Sequence, residues 1–355
     1  MKDEVIGRLE RWMKGERQPP FEAEIWPTGR CNLNCVYCRP SGSKKEELPP
    51  KKIFKVVGDC VSLGVKHFSF GGGEPFIRRK LALSLMRYIK TNGLSGSVIT
   101  NGTLFTPNDI RELIQIGWDE IIISLDGPDA STNDFQRDKG TFKKVVKAIR
   151  TFKHEKEREA SDSPHVSINM VLTNRNYKKL PEMIELIHNL GCDSLILQSL
   201  MQITTRCKEL KMNKEQTMEL RDIIMEAHSL AKDFEIRSNM LHFIQSEYIE
   251  KADDVPKLLT KDLKEKTGFL GAPCYQPWFK IMIGQRGEVG PCGSLATDSP
   301  LNVRAHKLNE IWFGDFFDRL RESMLQKEVP KECRACCTQK IIENEIIREK
   351  LENIK

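Results

Sequence analysis

Three cysteines lie close together in the segment CNLNCVYC, where Cys31, Cys35 and Cys38 stand at spacing C-x3-C-x2-C. Five more, Cys274, Cys292, Cys333, Cys336 and Cys337, fall near the end of the chain. Thiolates are soft ligands suited to zinc and to iron–sulfur clusters. Three thiols in one tight loop can hold three irons of a cubane and leave the fourth iron without a protein ligand. A structural zinc site asks for four closed ligands, and no His or further Cys stands nearby as the fourth, although a distant residue can serve. Spacing alone leaves both metals open. Eleven cysteines clustered this way do not resemble a secreted disulfide framework, so metal ligation in a reducing, cytoplasmic setting is expected. Cys60, Cys192 and Cys207 are isolated. Cys60 continues the helical stripe of Ile53 and Val57 and reads as a small core hydrophobe.

The elements that must position these thiols alternate in type. Strand-like segments at Glu22–Pro27, His67–Phe70, Ser97–Thr100, Glu120–Leu125, Val166–Leu172 and Ser194–Ser199 are short and rich in β-branched residues. Between them lie helix signals. Pro50 opens one helix that Gly64 should stop, and Thr106-Pro107 opens another that Gly117 closes. Six βα units in a row predict an α/β fold with a parallel sheet, doubly wound or an open barrel, with working residues at the C-terminal strand ends. The N-terminal residues form an amphipathic helix, with Val5, Leu9, Trp12 and Met13 along one face, read as a cap on the body of the protein. Residues 208–268 look mainly helical, with boundary signals at Val255–Pro256 and Gly268–Pro273. Phe279–Ile283 and Glu288–Val289 flank Gly284 and Gly287, which suggests a hairpin.

The first cysteine loop follows the first strand. Gly71-Gly72-Gly73-Glu74-Pro75 ends the second, where glycine backbone and one carboxylate can receive an ammonium group. In isolation this is an ordinary glycine-rich turn. Thr100-Asn101-Gly102 ends the third strand and Ser124-Leu125-Asp126-Gly127-Pro128 the fourth. Four consecutive strand ends carry polar or metal-binding residues, which a purely structural sheet does not need.

In this order the motifs resemble the radical S-adenosylmethionine (SAM) superfamily, over about residues 20–200. The resemblance implies a partial (β/α)6 TIM-like barrel in which Cys31, Cys35 and Cys38 hold a 4Fe–4S cluster. It implies further that the methionyl amine and carboxylate of SAM chelate the open iron, that Gly72, Gly73 and Glu74 bind the amine, and that backbone around Tyr37 meets the adenine. Ser124, Arg137 and Asn169 are its carry-overs for the ribose and carboxylate. The implied chemistry is one-electron cleavage of SAM to a 5′-deoxyadenosyl radical, which abstracts a hydrogen atom from a substrate.

Cys274 and Cys292, in the frame C-x12-G-x4-C, and the later pair Cys333-x2-Cys336 resemble the C-terminal SPASM domain or its shortened twitch form. The resemblance implies a second, auxiliary 4Fe–4S cluster. Only Cys337 follows the C-x2-C pair, where the full pattern has further cysteines, so one auxiliary cluster is expected. A four-cysteine zinc site is the alternative reading of these thiols. C-x2-C favours Cys336 over Cys337 as the ligand. The expected divisions are an N-terminal helix at 1–20, a radical SAM core at 21–205, a helical linker at 206–270, a SPASM/twitch domain at 271–340 and a C-terminal helix or tail at 341–355.

The formal charge of +6 comes with basic and acidic residues interleaved. No nucleic-acid-binding motif stands out, and two bound clusters would bring the charge to about +3. No run approaches a membrane span. The leading expectation is dehydrogenase-like oxidation of a small molecule with the auxiliary cluster as electron acceptor. A ferredoxin- or flavodoxin-like protein would be the electron donor. Gln198 and Gln202, after the sixth strand, are candidates to face the substrate. Maturation of a peptide or protein is the second reading, lowered by the short stretch before the first strand, and a non-catalytic iron–sulfur electron carrier is the third.

Overall fold

The computed structural model describes residues 2–38, 47–201, 204–244, 259–260, 263–297 and 299–354. The boundary signal Val255–Pro256 and the candidate Gln202 lie outside these residues. Strands β1 (Glu22–Thr28), β2 (His67–Gly72), β3 (Ser95–Thr100), β4 (Glu120–Ser124), β5 (His165–Leu172) and β6 (Ser194–Ser199) fall where the sequence pattern predicts them. With helices α2 (Pro50–Leu63), α3 (Arg79–Thr91), α4 (Pro107–Gln115), α5 (Ala130–Arg137), α6 (Thr141–Arg158), α7 (Leu180–Asn189) and α8 (Lys214–Asp233), they make the α/β repertoire of a partial (β/α)6 TIM-like barrel. The chain divides into two compact units: Met1–Gly29, Gly42–Gly72 and Asp254–Lys355 in one, Arg30–Ser41 and Gly73–Asp253 in the other.

The first unit carries helix α1 (Lys2–Met13), β1, α2 and β2, together with strands β8 (Lys280–Ile283) and β9 (Val289–Gly290). Leu9 of α1 is fully buried, and buried Arg8 donates to the carbonyls of Pro19, Pro20 and Gly64 at 2.9–3.1 Å. The amphipathic face is therefore a packed cap. Helix α2 starts on Pro50 and stops at Gly64, whose φ of 100° suits a residue without Cβ. Cys60 is buried in it. The expected hairpin forms as β8 and β9, with Phe279 belonging instead to the short helix Gln276–Phe279. What the pattern does not show is that β8 also pairs in parallel with β1, Glu22 opposite Lys280, while β1 pairs with β2 on its other edge.

In the second unit β3–β7 run parallel in sequential order, β7 (Arg237–Ser238) being a two-residue strand within the region expected to be helical. Two charged or polar residues carry no hydrophobic period, so the sequence gives no sign of it. Helix α4 is entered through a capping box between Thr106 and Asp109. Trp118, Phe152 and Leu195 are fully buried in this unit, each contributing roughly 1.5–3 kcal/mol by leaving water.

The β1–β8 pairing places Lys280 between two carboxylates, 2.7 Å from Glu22 and 2.9 Å from Glu24, with the ammonium side chain 9% exposed. Burial alone would raise Glu24, but Lys280 and Lys340 hold it down to about 2. Its ionic stabilisation is thus present above the ordinary carboxylate range and lost as pH falls toward 2. Lys280→Met should destabilise the unit by about 3 kcal/mol in urea unfolding, because it strands two buried anions. Glu24→Gln should flatten the acid limb of the stability profile.

Candidate functional site

The loop after β1 is held by the ends of other elements in its unit. Cys31 Sγ accepts the Leu33 backbone N–H at 3.4 Å and Asn101 Nδ2 at 3.7 Å. Asn101, just past β3, also donates to Asn32 Oδ1 at 2.9 Å, and Asn32 donates to Thr103 Oγ1 at 2.9 Å. Cys35 Sγ lies 3.4 Å from the Arg137 carbonyl, and the Cys38 N–H bonds back to the Cys35 carbonyl at 3.2 Å. Cys31 and Cys35 are half-buried and Cys38 is exposed. Burial pushes the Cys35 thiol up to about 12, with Arg137 opposing and Asp126, Cys38 and Cys31 adding to the rise. Such a thiol becomes a thiolate only beside a strong cation, which ligated iron supplies. Three thiols on one loop, none in a disulfide and with an amide donor aimed at one of them, are a donor set that suits an open iron–sulfur cluster.

Tyr37 and Arg137 both converge on Asp126, which is fully buried. Its carboxylate accepts from Arg137 Nη2 at 3.2 Å, from the Val171 N–H at 2.8 Å and from the Tyr37 hydroxyl, and Arg137 Nε is ion-paired with it at 2.7 Å. Its backbone carbonyl accepts from Asn176 Nδ2 at 2.9 Å and Gln136 Nε2 at 3.3 Å. The Arg137 guanidinium lies 5.8 Å from the Tyr37 ring centroid. Burial would lower Arg137, but Asp126, Tyr37 and Cys35 raise it, so it stays cationic. Beneath the loop, Val36 and Tyr37 pack on Leu200, Cys207 and Leu210. Cys207 is a core thiol there, with Sγ 3.4 Å from the Met201 carbonyl.

Glu74 is 1% exposed. One carboxylate oxygen accepts from the Phe76 N–H at 3.0 Å and Thr100 Oγ1 at 2.8 Å, the other from the Asn101 N–H at 2.7 Å. Its own N–H donates to the Arg30 carbonyl at 2.8 Å. Burial pushes Glu74 up despite these bonds. The carboxylate therefore braces the β3 end that holds the cysteine loop. Gly72 has φ 102°, and a Cβ there would stand 2.5 Å from the Thr28 carbonyl oxygen. Ser124 and Asn169 are register partners on β4 and β5, and neither side chain is hydrogen-bonded among the described residues.

The C-terminal cysteines belong to the other unit. Cys292 follows β9, and its carbonyl accepts from the Ala296 N–H at 2.9 Å. The Cys336 N–H donates to the Cys333 carbonyl at 3.0 Å, a tight knuckle, and Cys337 caps the helix Thr338–Glu352. Burial pushes Cys274 up to about 12, and Cys292 adds to the rise. Cys274 and Cys292 likewise raise Cys333. The hydrogen bond between Cys336 and Cys337 raises the first and lowers the second. Lys340 lies within electrostatic reach of Cys292, Cys336, Cys337 and Glu24, which keep it charged against burial. Among the described residues no three Cys, His, Asp or Glu side chains are placed to hold one metal ion.

A model of the radical SAM superfamily matches residues 25–196, and SPASM, an iron-sulfur cluster-binding domain, matches residues 274–337. The chain belongs to the radical SAM superfamily and carries a C-terminal SPASM domain. A radical SAM domain binds a 4Fe–4S cluster and SAM, and SPASM binds an auxiliary iron–sulfur cluster. The cofactor-modifying protein of tungsten-containing aldehyde ferredoxin oxidoreductase from Pyrococcus furiosus is 28% identical over 181 residues, 50% of this chain and 51% of that protein. The AdoMet-dependent heme synthase of Methanosarcina barkeri is 26% identical over 88% of this chain and 87% of that protein. The mycofactocin maturase of Mycobacterium tuberculosis is 30% identical over 46% of this chain and 41% of that protein. The matches to the first and third thus span about half of those proteins or less. Streptococcus suis SuiB, solved with SAM, shares the fold with TM-score 0.66 and 17% identity, over 94% of this chain and 74% of that one. No helix among the described residues is long and apolar enough to cross a membrane.

Asp126 and Asn101 stand within the strand-end motifs, but residue type and spacing assign neither a role. Polar type at a strand end was the available signal. Asp126→Ala should cost about 3–5 kcal/mol in denaturant unfolding, by leaving the Arg137 charge buried and unpaired. Tyr37→Phe, which removes one donor to the same carboxylate, should cost about 1 kcal/mol.

Proposed function

We propose that the chain is a radical SAM oxidoreductase acting on a small organic molecule, with Cys31, Cys35 and Cys38 on the SAM-binding cluster. Cys274, Cys292, Cys333 and Cys336 would hold the auxiliary cluster. The observation that carries the reading is the three-thiol loop pinned by Asn101 and by the Asp126–Arg137–Tyr37 clamp. When bound, the cofactors supply a 5′-deoxyadenosyl radical that removes a substrate hydrogen atom and an auxiliary acceptor for the electron left behind.

The chain's own residues hold and orient. The carboxylate of Glu74 is largely engaged by three donors, so the methionyl amine would be received by backbone carbonyls of the Gly72–Gly73 segment, with Glu74 supporting that segment. Ser124 and Asn169 would offer unused hydrogen-bonding groups to the ribose and carboxylate. Arg137 would act on the site through Tyr37 and through its own carbonyl, which accepts from Cys35 Sγ, and the backbone of Tyr37 would face the adenine. Lys340 would offset thiolate charge at the auxiliary cysteines. The functional division would follow the radical SAM core at 21–205 and the SPASM domain at 271–340, with a ferredoxin- or flavodoxin-like protein as electron donor.

A small-molecule substrate is favoured because the relative matched over 87% of its own length is named for making heme, which is not a peptide. Peptide maturation is a second reading, favoured by the 30% identity to a mycofactocin maturase.

Anaerobic reconstitution should load about eight irons per chain, and Cys35→Ala should lose about four of them. That variant should also lose 5′-deoxyadenosine formation with dithionite and SAM. A wild-type protein that forms no 5′-deoxyadenosine would be an electron carrier instead. Cys292→Ala and Cys333→Ala should keep 5′-deoxyadenosine formation but lose substrate turnover; full turnover without added oxidant would end the oxidation reading. Between neighbours, Cys336→Ala should lose the auxiliary irons and Cys337→Ala retain them.

A further inference from the structure

Three glycines crowd one side chain in the first unit. A Cβ on Gly72 would stand 3.0 and 3.1 Å from Cβ and Cγ of Trp26, and one on Gly71 would stand 3.4 Å from its Nε1. A Cβ on Gly293, the residue after Cys292, would stand 3.1 and 3.2 Å from Cζ2 and Cη2 of the same ring. The pyrrole side of the indole thus lies beside the glycine segment that ends β2, and the benzo edge beside Gly293, each within the reach of an added Cβ. At Gly72 and Gly293 glycine lets backbone approach the ring more closely than a residue with a Cβ could without the ring giving way.

The ring has little freedom to yield. Trp26 Nε1–H donates to Glu24 Oε1 at 2.7 Å, and Glu24 is paired with Lys280 at 2.9 Å. Lys280 is paired in turn with Glu22 at 2.7 Å, which accepts from Ser69 Oγ at 2.8 Å. A planar side chain with two torsions, tied at its only polar atom and packed on backbone at two edges, passes a displacement at one edge to the other.

We propose that Trp26 is a positioning residue that couples the two cofactor sites, so that SAM held at the Gly72 backbone and the cluster held at Cys292 influence each other's binding. This rests on the reading of Gly72 and Cys292 as site residues. Binding linkage is reciprocal, so loss of the auxiliary cluster must alter SAM affinity, and that alteration must pass through the indole.

A double-mutant cycle tests it on the reconstituted full chain. SAM dissociation constants are measured by equilibrium dialysis without reductant, so that SAM is not cleaved, for wild type, Cys333→Ala, Trp26→Ala and the double variant. Iron is counted in each. Loss of the auxiliary cluster through Cys333→Ala should weaken SAM binding by about fivefold or more when Trp26 is present, and by less than about twofold when it is absent. A merely structural role for Trp26 would lower affinity by the same factor in both backgrounds. Equal factors, or no effect of Cys333→Ala in either background, overturn the proposal. If Trp26→Ala takes up no iron, Trp26→Phe, which keeps a ring but loses the N–H and the benzo edge, replaces it with the same expectation. Wild-type protein that loads iron but binds no SAM would instead refute the site reading on which the coupling rests.

Discussion

The cysteine loop depends on one buried carboxylate. The loop that carries the three thiols needs an anchor outside itself. Asp126 provides it: the residue is fully buried and gathers a guanidinium, a phenol, a backbone N–H and two side-chain amides. A buried anion is tolerable only when its lone pairs and charge are met, and here Tyr37 of the loop and Arg137, whose carbonyl contacts Cys35, meet the carboxylate together with the Val171 N–H. The Arg137 carbonyl then lies against Cys35 and the Tyr37 ring near the Arg137 guanidinium, so the residue that neutralises Asp126 also contacts one of the three sulfurs.

A second buried charge group organises the other unit. Lys280 arrives on β8, more than 250 residues after β1 in sequence, and the parallel β1–β8 pairing sets it opposite Glu22. Glu24, Lys340 and the C-terminal cysteines Cys292, Cys336 and Cys337 extend this group electrostatically. Positive side chains beside several thiolates reduce the charge repulsion of bringing them together.

Glu74 shows how type can be right while geometry decides the work. A carboxylate after two glycines suggests a receiver for an ammonium group. In the folded chain both oxygens are occupied by donors from the ends of β2 and β3, and the residue stabilises the neighbouring strand end. At Gly72 the φ of 102° and the Thr28 carbonyl oxygen, 2.5 Å from an added Cβ, explain why no side chain fits.

The sequence by itself determined the strand–helix alternation and the strand ends that carry polar residues. Hydrophobic period, proline and glycine signals, and cysteine spacing are local, and Pro50, Gly64 and Thr106 act within a few residues of themselves. It also singled out the thiols, because eight of eleven cysteines in two groups is a pattern visible in one dimension. Only the tertiary structure decided that β8 would pair with β1, that Lys280 would neutralise Glu22 and Glu24, and that Trp26 would fill the space between Gly72 and Gly293. It likewise made Asp126 the anchor of the loop and left Cys207 in the core beneath it. Those outcomes depend on burial and on partners far away in sequence, which residue type and spacing do not encode.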